Sequence, residues 1–529
     1  MTDRIKDGIK PSEEDIAAQV EARAAEEAAG LDPDPDATVI DTKFIRRCHI
    51  ENERGDGALF AALHAGEFVY EAMGGVWYYW GGHHWRQDDL GYASVATKNV
   101  ADTYLNEGKA LSKSIKRAQK TGSKDLLADI KSEQARYYSR TKRLNTKRGA
   151  QNCLFWAHNI DKGLAINGEE FDRDPMLLGC SNGVLELRTG LFRPGRAGDY
   201  ITKAAPHEWK GIEEEAPLWE SFLEAVFLGD KPLIDYTRRL FGYAMTGVTT
   251  EHVMPVFHGV GRNGKGTLIE TLSYVLGPLA QPIPSEMLIE QRFGRSSSGP
   301  SPDVMSLKGL RLAFASETDE GEKFSSRRAK WLSGGDALTG RNPHDKYPTT
   351  FDPTHLLCLI TNHLPHAAGN DFAFWQRIRL IPFLAKFVDK PSGETEQKRD
   401  KNLPLKLRGE ASGILAWLMR GCLEWQRDGL NAPKTVLMAT EKYQFDEDTL
   451  AEFLEACCYP PEETDPDGRT QYSLLYTTFQ DWYIKNYDDK PPKKKEFNNL
   501  MQARFKRDKV GGKICFFGVI LKPELEMDL

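Results

Sequence analysis

The sequence predicts an α/β chain with a core of alternating strands and helices, a mixed α+β region before it and a winged-helix region after it. Three observations predict this. Apolar strands and helices alternate from Val253 to about residue 388, the pattern of a sheet with crossover helices. A glycine-rich run, Gly259–Thr267, stands between the first of those strands and an apolar helix. The last stretch reads as helices over Leu450–Ala456, Ser473–Asn486 and Lys495–Lys506, then a strand over Ile514–Leu521, on a basic background.

At 529 residues the chain is several times the size of one domain. It divides into an acidic tail (1–40), an α+β region (41–205), a helical region (206–250), the core (251–390), a second helical part (391–447) and the winged-helix region (448–529). A content of 40% hydrophobic and 28% charged residues excludes a wholly disordered chain. No apolar run approaches the roughly 18 residues of a membrane span. Met1–Asp7 lacks the apolar core of a secretory signal. The eight cysteines are scattered, without a CxxC pair or a histidine at metal spacing, and the adjacent Cys457–Cys458 sits in apolar sequence. That usage suits a reducing compartment and argues against a disulfide framework or structural zinc. The expectation is a cytosolic protein.

The net charge of −7 resides in residues 1–40, which carry eleven acids and four bases; the rest holds 66 of each. The tail reads as a disordered leader with a short helix around Ile16–Ala29. Its Asp32, Asp34 and Asp36 alternate like metal ligands, but the interleaved prolines make a solvated linker the better account. In the neutral body, Lys109–Arg148 holds thirteen bases against three acids, and Lys485–Lys513 ten against four. Each alone is an ordinary solvated face. Flanking a nucleotide site, they become the footprint of polyanion binding.

In chain order, a helical pattern (Gly57–Ala65) precedes a hairpin over Val76–Trp85, turning at Gly81-Gly82, with His83 and His84 in the turn. Its aromatics could stack bases, but a packed small sheet explains them better. One long basic helical segment (Ala101–Thr146) comes next, then short strands punctuated by Asn182-Gly183 and Thr189-Gly190. Pro217–Thr246 is helical, as are residues 403–445.

The chemistry centres on Gly259–Thr267, after strand Val253–Phe257 and before helix Leu268–Leu276. Glycines let successive backbone N–H groups face phosphate oxygens, and the helix N-terminus adds its dipole. Gly259, Gly261, Asn263, Gly264, Gly266 and Thr267 form this loop, and Lys265 supplies the mobile charge for the β/γ-phosphates. Gly266 stands where a Ser or Thr usually follows the lysine, so Thr267 is the candidate Mg²⁺ ligand. Strand Leu310–Ala315 delivers Glu317 as general base and Mg²⁺ orienter, and strand Leu356–Ile360 delivers Asn362 toward the γ-phosphate or attacking water.

With these residues the chain resembles the superfamily 3 helicases of the phage/plasmid and poxvirus-type helicase-primase family. The match continues through Ser316–Gly321, Lys330, Gly334-Gly335-Asp336, Arg341, Thr361–Pro365 and Trp375–Phe383. Upstream, Trp77–Trp85, Asn182-Gly183-Val184 and Phe241-Gly242-Tyr243 look like the family's helicase-associated region; downstream, Gly413–Trp417 fits too. Two departures stand out: Gln376 replaces an arginine common in relatives, and no primase-polymerase domain fits before residue 41.

The resemblance implies an AAA+-like ATPase using ATP and Mg²⁺, a homo-hexameric ring on single-stranded and forked DNA, and 3′-to-5′ translocation. It implies a setting in phage or mobile-element replication in the bacterial cytoplasm, with a separate primase or polymerase as partner. It makes residues 206–250 the oligomerisation collar and Arg377 the arginine finger reaching a neighbour's γ-phosphate, with Arg379 as runner-up. It also makes Arg341–Phe351 the pore hairpin, where Lys346 and His344 would meet DNA phosphates. Two rivals remain: a small-molecule kinase, and a DNA-binding initiator that uses ATP as an assembly switch.

Overall fold

The computed structural model describes residues 39–290, 299–316, 322–343, 347–367, 369, 371–460, 465, 467–487 and 491–522. The helix expected at Ile16–Ala29, the aspartates of the tail, Glu317, His344 and Lys346 lie outside the described residues.

The first folded region opens with α1 (Thr42–Ile50) and α2 (Asn52–Leu63), so the helix expected from Gly57 begins five residues earlier. Strands β1 (Phe68–Glu71), β2 (Val76–Trp80) and β3 (Trp85–Gln87) form antiparallel pairs, with Trp80 opposite Trp85 as the expected hairpin requires. The aromatics of β2 are half-buried. Tyr70 stacks on His158 and Tyr79 packs edge-on to Tyr92, so these rings serve a small sheet.

The long basic helical segment expected over Ala101–Thr146 is built of two helices. α3 (Tyr92–Thr121) and α4 (Lys124–Leu144) fold back on each other around Gly122, whose φ of 70° gives the left-handed residue that ends α3. Periodicity alone does not detect this turn, because the polar face continues through it. Near the base of this hairpin, Asp56, 1% exposed, receives Arg140 at 2.8 Å and Arg143 at 2.9 Å. These two bases of the basic stretch are thus occupied inside the fold, while Lys109, Lys113, Lys116 and Lys120 face solvent.

After α5 (Lys147–His158) and β4 (Ala165–Ile166) comes an antiparallel three-stranded sheet of β5 (Leu177–Cys180), β6 (Gly183–Glu186) and β7 (Leu191–Arg193). Helices α6 (Pro217–Val226) and α7 (Lys231–Thr246) bury Trp219, Phe222, Leu223, Tyr236 and Leu240. These residues share one apolar core with the central sheet and with Leu415, Trp417, Leu418 and Cys422 downstream.

The central sheet has five strands, all parallel: β8 (Met254–His258), β9 (Ala280–Ile283), β10 (Leu312–Ser316), β13 (Leu356–Thr361) and β14 (Ile378–Pro382). Their spatial order is β14-β8-β13-β10-β9. Helix α8 (Lys265–Leu276) carries the chain from interior strand β8 to edge strand β9. Between β10 and β13 lie α9 (Ser326–Leu332) and an antiparallel pair, β11 (Leu338–Gly340) with β12 (Thr349–Phe351). The paired stems agree with the hairpin expected over Arg341–Phe351.

Helix α10 (Phe372–Trp375) leads into β14, and a small parallel pair follows, β15 (Lys386–Val388) with β16 (Glu396–Lys398). The helical stretch expected over 403–445 is α11 (Leu403–Arg408), α12 (Ala411–Asp428) and α13 (Lys434–Asp446). The last region holds α14 (Thr449–Cys457), α15 (Tyr472–Asn486) and α16 (Lys494–Gln502) with an antiparallel sheet in the order β17-β19-β18: β17 (Arg469–Gln471), β18 (Arg507–Val510) and β19 (Lys513–Phe517). One strand was expected there; β17 and β18 are too short and polar to leave an apolar alternation. All eight cysteines are buried and unpaired. No described helix is long and apolar enough to cross a membrane.

Candidate functional site

In an open parallel sheet, ligands meet the crevice beyond the carboxyl ends of strands where connections diverge. Strand β8 sits at such a place, flanked by β13 on one side and β14 on the other. The expected loop follows it directly. Arg262 adopts φ 60° and Gly264 φ 91°, which curls the loop into α8. A side chain at Gly264 would also stand 2.6 Å from Val226, so glycine is required there on two counts. Gly259 is equally confined: a Cβ would lie 2.4 Å from the Phe383 carbonyl oxygen. Phe387 N–H donates to the Arg262 carbonyl at 2.8 Å and ties the loop's outer turn to β15.

Lys265 begins α8 and is only 6% exposed. Its Nζ donates to the Gly259 carbonyl and, at 3.0 Å, to Asn362 Oδ1. Burial pushes its pKa down to about 8, because little besides these neutral acceptors offsets desolvation of the ammonium. Asn263 is 3% exposed, and its Nδ2 has no hydrogen-bond partner among the described residues. A buried amide donor left unmade costs about 1–3 kcal/mol, which an incoming oxygen anion would recover.

Asn362 follows β13, whose last residue, Thr361, pairs in register with His258 at the end of β8. The sequence-expected lysine and asparagine therefore meet. His258 is the residue that sequence reading missed. It is half-buried beside Lys265, Asn362 and His363, and its pKa is lowered chiefly by burial and then by Lys265. A histidine ending an apolar strand carries no signal until its neighbours are known. Ser316 ends β10 level with Ile360, one strand further along; Glu317 comes next in the chain, outside the described residues.

Arg377 is at the other end of the sheet. Its carbonyl accepts from Met254 N–H at 2.7 Å, at the start of β8. Roughly 16 Å of five-residue strand, at about 3.3 Å per residue, separates that level from the loop. Arg377 Nη1 donates to Ala373 at 2.7 Å, while its buried Nε lacks a partner among the described residues. Arg379 lies on β14 opposite Pro255 and donates to the carbonyls of Gln376 and Ile378. The segment before Arg377 is braced: Asp371 caps α10 and takes an ion pair from Lys330 at 2.8 Å. The structure thus brings Lys265 to Asn362 and keeps both arginines apart from them.

Thr267 lies half-exposed in the first turn of α8. Its hydroxyl is a hard oxygen donor of the kind Mg²⁺ takes. No cluster of three or more His, Cys, Asp or Glu suited to a metal occurs among the described residues.

Residues 57–228 match the family described as "D5 N terminal like". The chain is 27% identical over 460 residues to "Putative helicase L207/L206" of Acanthamoeba polyphaga mimivirus, covering 83% of this chain and 46% of that one. It is 27% identical over 365 residues to "Putative helicase 121R" of Invertebrate iridescent virus 3, covering 63% and 38%. It is 24% identical over 345 residues to a "Putative primase" of African swine fever virus, covering 61% and 34%. The chain thus carries a region similar to the D5 N-terminal family and is similar over most of its length to putative helicases and primases of large DNA viruses. It spans less than half the length of these relatives. The family match covers the β1–β7 modules and α6, the part in which Trp77–Trp85 and Asn182-Gly183-Val184 suggested kinship. These relatives come from viruses of eukaryotes, whereas the motifs suggested a phage setting.

Proposed function

We propose that this chain is the ATP-dependent DNA helicase module of a viral or mobile-element replication enzyme. It works as a hexameric ring moving 3′-to-5′ on single-stranded DNA at a fork, within the compartment where that DNA replicates and beside a separate primase or polymerase. The observation that carries the reading is the 3.0 Å contact of Lys265 Nζ with Asn362 Oδ1 at the ends of adjacent parallel strands. The loop N–H groups and the α8 N-terminus would receive the phosphates of ATP, and Asn263 Nδ2 would find the acceptor it lacks. Lys265 would turn from the Gly259 carbonyl toward the β/γ-phosphates, while Asn362 would be released to orient the attacking water.

Thr267 and Glu317 would hold Mg²⁺, which when bound neutralises phosphate charge. Arg377 would serve the loop of the adjacent subunit, since its own loop lies a strand-length away. The C-terminal three helices and β17–β19 are read as a winged helix, and the β11–β12 hairpin with Lys346 and His344 as the DNA-gripping pore element. The test is multiple-turnover ATPase with and without single-stranded DNA, alongside unwinding of a forked duplex. Stimulated turnover with unwinding supports the reading. ATP binding without turnover would favour an assembly switch, and phosphate transfer to a nucleoside monophosphate would favour a kinase.

A further inference from the structure

Two strand-end loops carry the residues that hydrolysis would need. One leaves β13 at Thr361, bears Asn362 and runs to Asp371, the cap of α10. The other leaves β10 at Ser316, bears Glu317 and is described again from Glu322. They cross at His366. Its N–H donates to the Glu322 carbonyl at 2.7 Å, and its carbonyl accepts from Phe324 N–H at 2.8 Å, an isolated bridge rather than a strand pair.

A group from outside the sheet holds this crossing. Glu447 stands just past the end of α13, with its side chain 13% exposed. Its Oε2 accepts from Ala367 N–H at 2.9 Å, and both carboxylate oxygens lie 3.2 Å from His366 Nδ1. Ala367 is itself buried, so its N–H needs an acceptor inside the fold. The last turn of α13 adds two ties: the Tyr443 hydroxyl donates to the Pro365 carbonyl, and Gln444 Nε2 to that of Gly369 at 3.2 Å. The approach is close, since a Cβ on Gly369 would stand 2.9 Å from Asp448 Cα.

Helix physics does not account for Glu447. The carboxyl end of a helix is the negative pole of its dipole, where an acid is disfavoured. Asp446 and Asp448 on either side add like charge. Asp448 has a use of its own, as N-cap of α14 and ion-pair partner of Arg504. Glu447 has the loops. A carboxylate on a backbone N–H makes a hydrogen bond about twice as strong as a neutral acceptor does. We infer that Glu447 is a positioning residue for ATP hydrolysis: its carboxylate fixes the His366–Ala367 crossing, and with it the placement of Asn362 and of the segment that follows Glu317. This rests on the ATPase reading of the site, and Glu447 acts only through those two loops.

The test uses the full chain. Glu447→Ala removes the acceptor, Glu447→Gln keeps a neutral oxygen for Ala367 N–H, and buried Val436 and Tyr443 seat α13 in both. Without nucleotide, hydrogen exchange in peptides spanning 362–369 should quicken about three- to tenfold in Glu447→Ala, and stay within about twofold of wild type in Glu447→Gln. In steady-state ATPase, Glu447→Ala should lose about ten- to a hundredfold in kcat, the cost of a slightly misplaced group, with KM and ATP affinity within about twofold of wild type. Glu447→Gln should recover most of that kcat. Added to Asn362→Ala, Glu447→Ala should cost far less than it does alone, because residues that act through one another are not additive. Unchanged exchange, full kcat despite faster exchange, a loss confined to KM, or a fully additive double variant would each overturn the inference. A wild-type chain without ATP turnover would remove the ATPase reading and this role with it, while the exchange shows separately whether the carboxylate holds the crossing.

Discussion

The two ends of the β8 strand are built in opposite ways. At its carboxyl end, buried Gly259, Asn263 and Lys265 meet the exposed Asn362, with one desolvated cation and one unpartnered amide donor. At its amino end, Arg377 and Arg379 are half-exposed and donate only to nearby backbone carbonyls. Asn263 Nδ2 at the first end and Arg377 Nε at the second both lack partners among the described residues. Only the first lies beside a glycine loop and the N-terminus of a twelve-residue helix, a setting that suits an anion. The second offers guanidinium to a surface. One chain therefore holds, at opposite ends of one strand, a buried lysine beside an unpartnered amide and an arginine placed away from both; the proposed ring of identical subunits would use that separation.

Lys265→Ala makes the largest break in this comparison. It leaves the cradle without a mobile cation, and ATP binding should disappear along with turnover, a loss of about a thousandfold or more. Equilibrium binding of a fluorescent ATP analogue and a phosphate-release assay check both halves. Retained turnover would remove the site assignment.

Arg377→Ala strikes the opposite end and should behave differently. Turnover should fall by about a thousandfold, as when an arginine finger is lost, while ATP affinity stays near normal. Mixing this variant with Lys265→Ala should restore part of the ATPase, because some mixed interfaces pair an intact loop with an intact arginine. Mixed assemblies that recover nothing would make Arg377 a local brace of α10 and β14.

Gly264→Ala tests whether the cradle's shape or its charge matters more. The added methyl would meet Val226 at 2.6 Å at a backbone φ of 91°. The strain should cost about 1–3 kcal/mol and lower the thermal midpoint by several degrees, read by calorimetry. An unshifted midpoint would mean the loop relaxes freely, against the confinement described here.

How much of this was legible in the sequence follows the physics of each feature. The strand–loop–helix and the two flanking strands were readable because buried parallel strands are continuous apolar runs ending at polar residues. The meeting of Lys265 with Asn362 was expected from strand-end logic. The break at Gly122 was not readable, since one glycine in a solvated basic helix looks tolerable until its φ is known. Nor was the occupation of Arg140 and Arg143 by Asp56, because the partner lies more than eighty residues away in sequence. His258 stayed invisible for the same reason: its role depends on which strands neighbour β8, and sequence order does not state that.

The smallest effect concerns pH and sharpens the account of the buried cation. Lys265 has its pKa lowered from 10.5 to about 8 by burial, while in the unfolded chain it would keep the ordinary value. Below about pH 8 both states are protonated, and the folded chain bears the full cost of the buried charge. Between about 8 and 10.5 the unfolded state binds more protons, so stability should rise with pH across that window. Nucleotide affinity should run the other way. A bound phosphate favours the charged ammonium, so ATP binding is flat below about pH 8, and above it each molecule bound must bring a proton to Lys265. Affinity should then fall by up to about tenfold per pH unit, the limit for one linked proton. Lys265→Arg, which stays charged throughout, should abolish that slope whatever its effect on affinity. Titration calorimetry from pH 7 to 10 in buffers of different ionisation enthalpy reads the proton uptake directly. A slope that persists in Lys265→Arg would mean that another group, with His258 already neutral in this range, carries the linkage.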